Sequence, residues 1–127
     1  MSPIFLDIEM VMLVHRSLIE RYAGLEGLRD AGLLHSAIAM PQASFGGEYL
    51  HKDIFAMAAA YLYHIVQNHP FLDGNKRTGA AAAIIFLAMN DIDLVADEDG
   101  LVEITLAVAQ GSAGKEEVAE FFRRVSS

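Results

Sequence analysis

Apolar residues recur three and four positions apart along most of the chain, the spacing of helices with one buried face. The pattern predicts a first helix that is capped by Asp7, runs to about Tyr22 and is ended by Gly24. Its inward stripe comprises Ile8, Val11, Met12, Leu18, Ile19 and Tyr22. His15 falls on this stripe, so we expect it to be a core histidine with one hydrogen-bond partner.

Two more helices follow in the first half of the chain. Asp30 caps a predicted second helix over 31–40, which Pro41 stops. Residues 41–49 are rich in Ser and Gly and predict a loop or a short hairpin. A third helix is predicted over 52–68, with an apolar stripe formed by Ile54, Met57, Ala58, Tyr61, Leu62 and Ile65.

Three helices are predicted in the second half. The fourth covers about 75–89, and its residues 80–89 are apolar on every side, which predicts a helix buried at the centre of the domain. The fifth covers about 99–109 and the sixth about 115–125. The acidic run between the fourth and fifth helices does not fit a calcium-binding loop, and it is interpreted as a solvated connector. Its residues are Asp91, Asp93, Asp97, Glu98 and Asp99, with a helix cap at Asp97 or Asp99.

Six helices in 127 residues predict an all-α bundle that forms a single domain over 1–127. The third and fourth helices would be its buried pair, joined by the loop at 69–74. The formal net charge of −8 argues against general binding to nucleic acid, which requires clustered Lys and Arg. The chain has no cysteine, no recognisable signal peptide and no apolar stretch long enough to span a bilayer, so we expect a cytoplasmic protein.

A polar cluster lies between the two most apolar helices, where polar groups need partners or a ligand. Its members are His69, Asp73, Asn75, Lys76, Arg77 and Thr78. The cluster ends at a predicted helix N-terminus, where free backbone N–H groups and the helix dipole favour phosphate. Gly74 lets the backbone approach such a ligand, Asn75 can bond a phosphate oxygen or cap the helix, and two cations follow.

Two members of the cluster indicate more than an anion site. The Asp73 carboxylate is explained if Mg²⁺ accompanies the phosphate, because Mg²⁺ prefers a carboxylate together with phosphate oxygens and water. His69 can accept a proton near neutral pH. A base, a metal carboxylate and an anion cradle are the parts needed for phosphoryl or nucleotidyl transfer to a hydroxyl. Taken singly, capping or turn formation would also explain His69, Asp73 and Asn75.

The loop resembles the signature of the Fic family, His-x-Phe-x-Asp/Glu-Gly-Asn-Gly-Arg-x-x-Arg. The matching residues are His69, Phe71, Asp73, Gly74, Asn75 and Arg77. Two positions depart from it, because Lys76 replaces a glycine and Ala80 replaces the last arginine. The death-on-curing (Doc) subgroup is more similar, since it carries Asn-Lys-Arg-Thr as this chain does over 75–78. The run 21–30 also resembles the end of the first helix in Doc proteins, so the resemblance covers about 7–91.

By that resemblance, the chain is expected to have a Fic-like fold. His69 would be the base for the target hydroxyl, Asp73 would hold Mg²⁺, and Arg77 would act with them in catalysis. The nucleotide phosphates would be held by Gly74, Asn75, Lys76 and Arg77. Phe71 would anchor the loop in the core. The loop at 41–50 would be the flap that aligns a target segment.

Doc proteins transfer the terminal phosphate of ATP to a threonine of elongation factor Tu and are neutralised by an antitoxin. The resemblance therefore implies Mg²⁺, ATP as co-substrate, a translation-factor substrate and a cognate antitoxin. It also predicts an exposed apolar groove beside the motif, bordered by the first helix and the flap, for the antitoxin tail.

Three alternatives compete with this interpretation. Fic enzymes that transfer AMP use the glycine and the last arginine to hold the triphosphate, and Lys76 and Ala80 replace these residues, so AMP transfer is the second enzyme hypothesis. A non-catalytic Fic-fold interaction domain is the hypothesis of another class. A metallohydrolase using His51, His64 and His69 is disfavoured, because their spacing is not His-Glu-x-x-His.

Overall fold

Six α-helices and one short hairpin make up the computed structural model, which describes residues 2–127. The helices are α1 (Ile8–Tyr22), α2 (Ala31–Ala39), α3 (Ile54–Asn68), α4 (Asn75–Met89), α5 (Glu98–Ala109) and α6 (Lys115–Val125). Between α2 and α3, a 3-10 turn (Met40–Gln42) leads into the antiparallel strands β1 (Ser44–Phe45) and β2 (Glu48–Tyr49). The predicted all-α bundle of about six helices with a short hairpin is confirmed.

Four helices begin at an aspartate whose carboxylate accepts a backbone N–H from the first turn. The caps are Asp7 for α1, Asp30 for α2, Asp53 for α3 and Asp97 for α5. Each satisfies a donor that has no partner within the helix and places negative charge at the positive end of the helix dipole. The N-cap of α4 is different, since Gly74 has φ 79° and no side chain that could accept a hydrogen bond.

Helix α3 lies at the centre of the bundle. Residues 57–62 are all buried, and α3 packs against α2, α4, α5 and α6. Gly79 allows α4 to approach closely, because a Cβ at this position would lie 3.1 Å from the Leu62 carbonyl oxygen. Residues 80–89 were predicted to form a helix buried at the centre of the domain, but only part of this stretch is buried. One face is buried, whereas Ala80, Ala81 and Ile84 face a cavity that α5 only partly covers.

Helix α1 also buries a narrower face than its apolar pattern predicted. The buried row is Val11, His15 and Ile19, spaced four apart. Met12 and Tyr22 from the predicted stripe are 37% and 50% exposed. The other boundary differences are small: α1 is closed by Ala23 in the left-handed region, and α2 stops at Ala39 because the 3-10 turn begins before Pro41.

The hairpin lies at the opposite end of α3 from the motif loop. It connects to the N-terminus of α3, whereas His69 caps the C-terminus, and a helix of 15 residues is about 22 Å long. Tyr49 instead packs its ring 5.6 Å from that of Phe5. The expected flap role of 41–50 over the motif is therefore wrong for this structure, because α2 runs back along α3 and carries the hairpin away from the loop.

Among residues 2–127, every helix is too short or too polar to cross a bilayer.

Candidate active site

The segment 24–30 runs antiparallel to the motif loop and holds it by backbone hydrogen bonds. The Arg29 N–H donates to the Pro70 carbonyl at 2.7 Å. The Leu72 N–H donates to the Gly27 carbonyl at 3.0 Å. Because these bonds join two stretches of main chain directly, the segment 24–30 holds the outer side of the motif loop in place.

Side chains fix the loop from the inside. Phe71 is 1% exposed, as the resemblance implied, and its ring stacks on the His15 imidazole with centroids 3.7 Å apart. His15 is buried as predicted, and its Nε2 donates to the Asp73 carbonyl oxygen at 2.8 Å. Asn75 brackets Phe71, since its Oδ1 accepts the Phe71 N–H at 2.9 Å and its Nδ2 donates to the Phe71 carbonyl at 3.0 Å. The Asn75 side chain therefore shapes the loop, a function that the expected phosphate contact did not indicate.

The Asp73 carboxylate is exposed and held by two backbone donors. Its Oδ2 accepts the Leu25 N–H at 3.1 Å and its Oδ1 accepts the Gly74 N–H at 2.8 Å. These bonds, followed by the charge of Arg77, hold the pKa of Asp73 below its usual value. Gly24 makes room for this arrangement, because a Cβ there would lie 2.6 Å from Oδ2. Asp73 is therefore ionised at neutral pH and keeps lone pairs free for a cation.

His69 closes α3 with its backbone in the left-handed region, at φ 51° and ψ 53°. This conformation is uncommon for a residue other than glycine, and neighbouring contacts must hold it. The Arg29 Nε donates to the His69 carbonyl at 2.6 Å, and Nη2 donates to the Asn68 carbonyl at 2.9 Å. Arg29 thus fixes the main chain from which the exposed His69 imidazole projects beside the motif cavity.

The first turn of α4 offers backbone donors to a ligand. Among residues 2–127, the N–H groups of Asn75, Lys76 and Arg77 have no hydrogen-bond acceptor, and Gly74 provides no cap. Unpaired N–H groups at the positive end of a helix dipole favour an anion.

The two cations of the motif are exposed and border the same cavity. The Arg77 guanidinium stacks over the Tyr22 ring, with Cζ 4.1 Å from the ring centroid. The quadrupole of the ring attracts the cation and restricts its orientation. Within the part of the chain that the structure describes, neither Lys76 nor Arg77 forms an ion pair, so both remain free for an anionic ligand.

All the predicted site residues border one cavity of about 610 Å³ between α1, the motif loop, α4 and α5. One end carries His69, Asp73 and the first turn of α4. The other end is mostly apolar and is formed by Leu18, Ala80, Ala81, Ile84, Leu101, Val102 and Leu106. Val102 and Leu106 are 57% and 41% exposed, so the predicted apolar groove beside the motif is present. Its second wall is α5 and not the hairpin, which corrects the predicted border.

His51 and His64 do not join His69. Their Nε2 atoms meet at the Lys115 ammonium instead. Residues 2–127 contain no group of three His, Cys, Asp or Glu side chains that could hold a metal ion together. The metallohydrolase arrangement of His51, His64 and His69 therefore does not form.

Sequence reasoning missed several contributors to the site. Tyr22 orients Arg77, Gly24 and the Leu25 N–H position Asp73, and Arg29 supports His69. The resemblance of the run 21–30 to Doc proteins was the one signal that pointed to these residues. A backbone N–H such as that of Leu25 leaves no signal in the sequence, because every residue type except proline can supply it.

Comparisons with known proteins show the family of the chain. The Fic/DOC family model matches residues 5–87. Protein kinase doc of Escherichia phage P1 is 34% identical over 117 residues, covering 92% of this chain and 91% of the relative. Toxin Doc of Mycolicibacterium smegmatis is 44% identical over 78 residues, covering 61% of this chain and 60% of the relative. The chain belongs to the Fic/Doc family and is a Doc-type member of it.

Proposed function

We propose that this protein is a toxin that transfers the terminal phosphate of ATP to a hydroxyl of a translation factor of the elongation factor Tu type. The observation that carries the proposal is the meeting of an ionised carboxylate, an uncapped helix N-terminus, two free cations and an exposed imidazole around one cavity. The relatives named Protein kinase doc and Toxin Doc support this reaction and this role. A translation factor as substrate would place the activity in the cytoplasm.

In this reaction, His69 accepts the proton of the acceptor hydroxyl. The hydroxyl oxygen then attacks the terminal phosphorus, and the bond from phosphorus to the ADP oxygen breaks. The free N–H groups at the start of α4 receive phosphate oxygens, and Lys76 and Arg77 stabilise the charge of the phosphoryl group during transfer. Asn75 contributes its backbone N–H, since both side-chain polar atoms are bonded to Phe71.

The residues present fit a magnesium ion. Each Asp73 oxygen accepts one backbone N–H and is exposed, so further lone pairs remain available. One carboxylate together with phosphate oxygens and water is a usual ligand set for Mg²⁺. Asp73 would hold the ion, which neutralises negative charge on the phosphate oxygens when bound.

The wall beyond the first turn of α4 supports phosphate transfer over AMP transfer. Ala80 borders the cavity where the Fic signature has its last arginine, and its neighbours there include Ala81 and Ile84. An apolar wall cannot hold the terminal phosphates as a leaving pyrophosphate, because it offers no charge or donor. Lys76 and Arg77 lie one turn earlier on α4, in its first turn.

The apolar end of the cavity suits an antitoxin. Its exposed residues on α5 and the neighbouring Leu18 form a groove of the kind that accepts an amphipathic helix. A segment bound there would lie directly beside the phosphate site, so it would block the bound nucleotide or the target. We propose this groove as the docking surface of the cognate antitoxin.

The reaction can be tested with purified elongation factor Tu, Mg²⁺ and ATP labelled on either the terminal or the alpha phosphate. We expect only the terminal label to reach the factor, and we expect His69→Ala to abolish the transfer. Transfer of the alpha label by the wild type would contradict the kinase proposal and support AMP transfer. Transfer of neither label by folded protein would contradict this target, and failure with all protein acceptors would support a non-catalytic domain.

A further inference from the structure

Lys115 lies between two imidazoles that the proposed reaction does not use. Its Nζ is 3.2 Å from the Nε2 of His51 and 3.1 Å from the Nε2 of His64. His51 precedes α3, His64 lies on α3, and Lys115 is the first residue of α6. None of the three borders the motif cavity, so the cluster is separate from the site described above.

The hydrogen-bonding roles in this cluster follow from the chemistry of the groups. An ammonium only donates, so both Nε2 atoms accept and both rings carry their proton on Nδ1. Burial, followed by the charge of Lys115, lowers the pKa of His51. Burial, the charge of Lys115 and then that of His51 lower the pKa of His64 to about 4. Both imidazoles are therefore neutral acceptors at pH 7.

The cluster also accommodates a neutral amine. A neutral Nζ has two N–H groups, and each could donate to one of the two imidazoles. Its lone pair would then point away from both rings and remain available to another molecule. Burial lowers the pKa of Lys115, which increases the share of this neutral form.

The cluster borders a cavity that is large enough for a small molecule. Lys115 and His51 border a cavity of about 960 Å³ between the 3-10 turn and α6. Lys52 and Arg124 border the same cavity, and within residues 2–127 neither forms an ion pair. Three glutamates also border it, of which Glu120 is already paired with an arginine. Lys52 and Arg124 are cations that can contact the phosphate of an electrophile entering this cavity.

We propose that Lys115 is a nucleophilic lysine that is acylated at Nζ by small acyl phosphates. The ammonium first releases one proton to solvent. The amine lone pair attacks the carbonyl carbon, a C–N bond forms, and the C–O bond to phosphate breaks with its electron pair leaving on phosphate. The remaining surplus proton on nitrogen passes to Nε2 of His51 or His64 and then to the departing phosphate. The products are an Nζ-acyl lysine and inorganic phosphate.

Acylation alters the contact between α3 and α6. The amide nitrogen keeps one N–H and loses its charge, so only one of the two imidazoles retains a donor. The positive charge at the first residue of α6, which the helix dipole disfavours, is removed at the same time.

The chain provides its own control, because its only lysines are Lys52, Lys76 and Lys115. The folded protein is incubated with acetyl phosphate at pH 7, and acetylation of each lysine is followed by mass spectrometry. We expect Lys115 to react faster than Lys52, an exposed lysine on the same cavity, and we expect this rate ratio to fall in His51→Gln and His64→Gln. If Lys115 reacts no faster than Lys52, the proposal is overturned. This comparison uses the wild-type protein, so it does not depend on the folding of a variant. A rate ratio unchanged in both variants also overturns it, because the imidazoles would then have no part in the transfer.

Discussion

The Asp73 carboxylate accepts the Leu25 backbone N–H at 3.1 Å although 48 residues separate the two in sequence. The bond fastens the motif loop to the segment that follows α1. A main-chain N–H has a fixed position in the folded loop, whereas a side-chain donor could rotate away from the carboxylate. The contact between the two loops therefore fixes the orientation of the carboxylate. Gly24 allows this contact, because it has no side chain to occupy the space beside Asp73.

Gly24→Ala is expected to displace the Asp73 carboxylate. The added Cβ would lie 2.6 Å from Oδ2 and 2.8 Å from the Ile19 Cδ1, and neither distance is tolerable without movement. A displacement of about 1 Å in a catalytic group can cost about 10²-fold in rate. We therefore expect the kcat for phosphate transfer to fall by about that factor at a temperature where the variant is folded.

Gly114→Ala is the matched control for this change. Its added Cβ would lie 3.5 Å from the Glu117 Oε2, an ordinary contact far from the motif in the chain. Transfer rates should match the wild type in this variant. Equal rates in both glycine variants would mean that Asp73 does not need its present orientation.

His69→Ala should reduce the kcat for phosphate transfer by about 10²–10⁴-fold, the usual effect of removing a general base. The side chain is exposed, so the melting temperature should change little. His35→Ala removes an exposed imidazole from α2 and should leave both quantities unchanged. Growth inhibition on expression at equal protein levels provides the cellular measurement. Undiminished inhibition by the His69 variant would contradict the assigned role.

Tyr22→Leu is expected to weaken ATP binding by removing the ring beneath the Arg77 guanidinium. A cation–π contact at an exposed site contributes about 0.5–1 kcal/mol, which corresponds to about a two- to fivefold increase in KM for ATP. Tyr22→Phe keeps the ring and should retain the wild-type KM. The same KM increase in both variants would show that the hydroxyl matters and the stacking does not.

Local signals in the sequence were sufficient to predict the helices and to place the motif residues together in one loop. The aspartate caps and the three-and-four spacing act within one or two turns, so α1 to α6 were predicted to within about two residues. The motif residues are contiguous, so their common location followed from the chain itself.

The contacts that orient the motif depend on tertiary packing and could not be predicted in this way. The direction in which α2 leaves the motif loop decides where the hairpin lies, and no local pattern encodes that direction. The same holds for α5 as the second wall of the groove and for the Leu25 N–H on Asp73. Tyr22 was misassigned to the core for a related reason, since an aromatic ring on an apolar stripe can equally cover a neighbouring cation.

Acid is expected to destabilise the fold through His64. Its pKa in the folded protein is about 4, below the ordinary value of 6.5, so the unfolded chain binds a proton that the folded chain does not bind between these values. The stability contribution is complete above pH 6.5 and is lost as the pH falls towards 4. Allowing for partial exposure to solvent, the loss is about 1–2 kcal/mol.

Urea unfolding at pH 7 and at pH 4.5 measures this effect. His64→Gln should reduce the difference in unfolding free energy between the two pH values, because glutamine does not titrate. His35→Gln changes an exposed histidine and should retain the wild-type difference. An identical pH dependence in wild type and His64→Gln would rule out His64 as the cause.

Leu106→Glu should weaken binding of the antitoxin without altering phosphate transfer. Leu106 is 41% exposed on α5 and borders the apolar end of the motif cavity, away from the first turn of α4. A carboxylate at this position would be buried without a partner under a docked apolar helix, which is costly. Burial of an unpaired polar group costs about 1–3 kcal/mol, so we expect at least about a fivefold rise in Kd. Calorimetry with the tail segment of the proposed antitoxin measures that rise. Leu13→Glu is the control, because Leu13 is 62% exposed on α1 and does not border the cavity. If both glutamate variants bound the segment with wild-type affinity, the antitoxin would have to dock on another surface. If Leu13→Glu alone lost affinity, the outer face of α1 would be that surface.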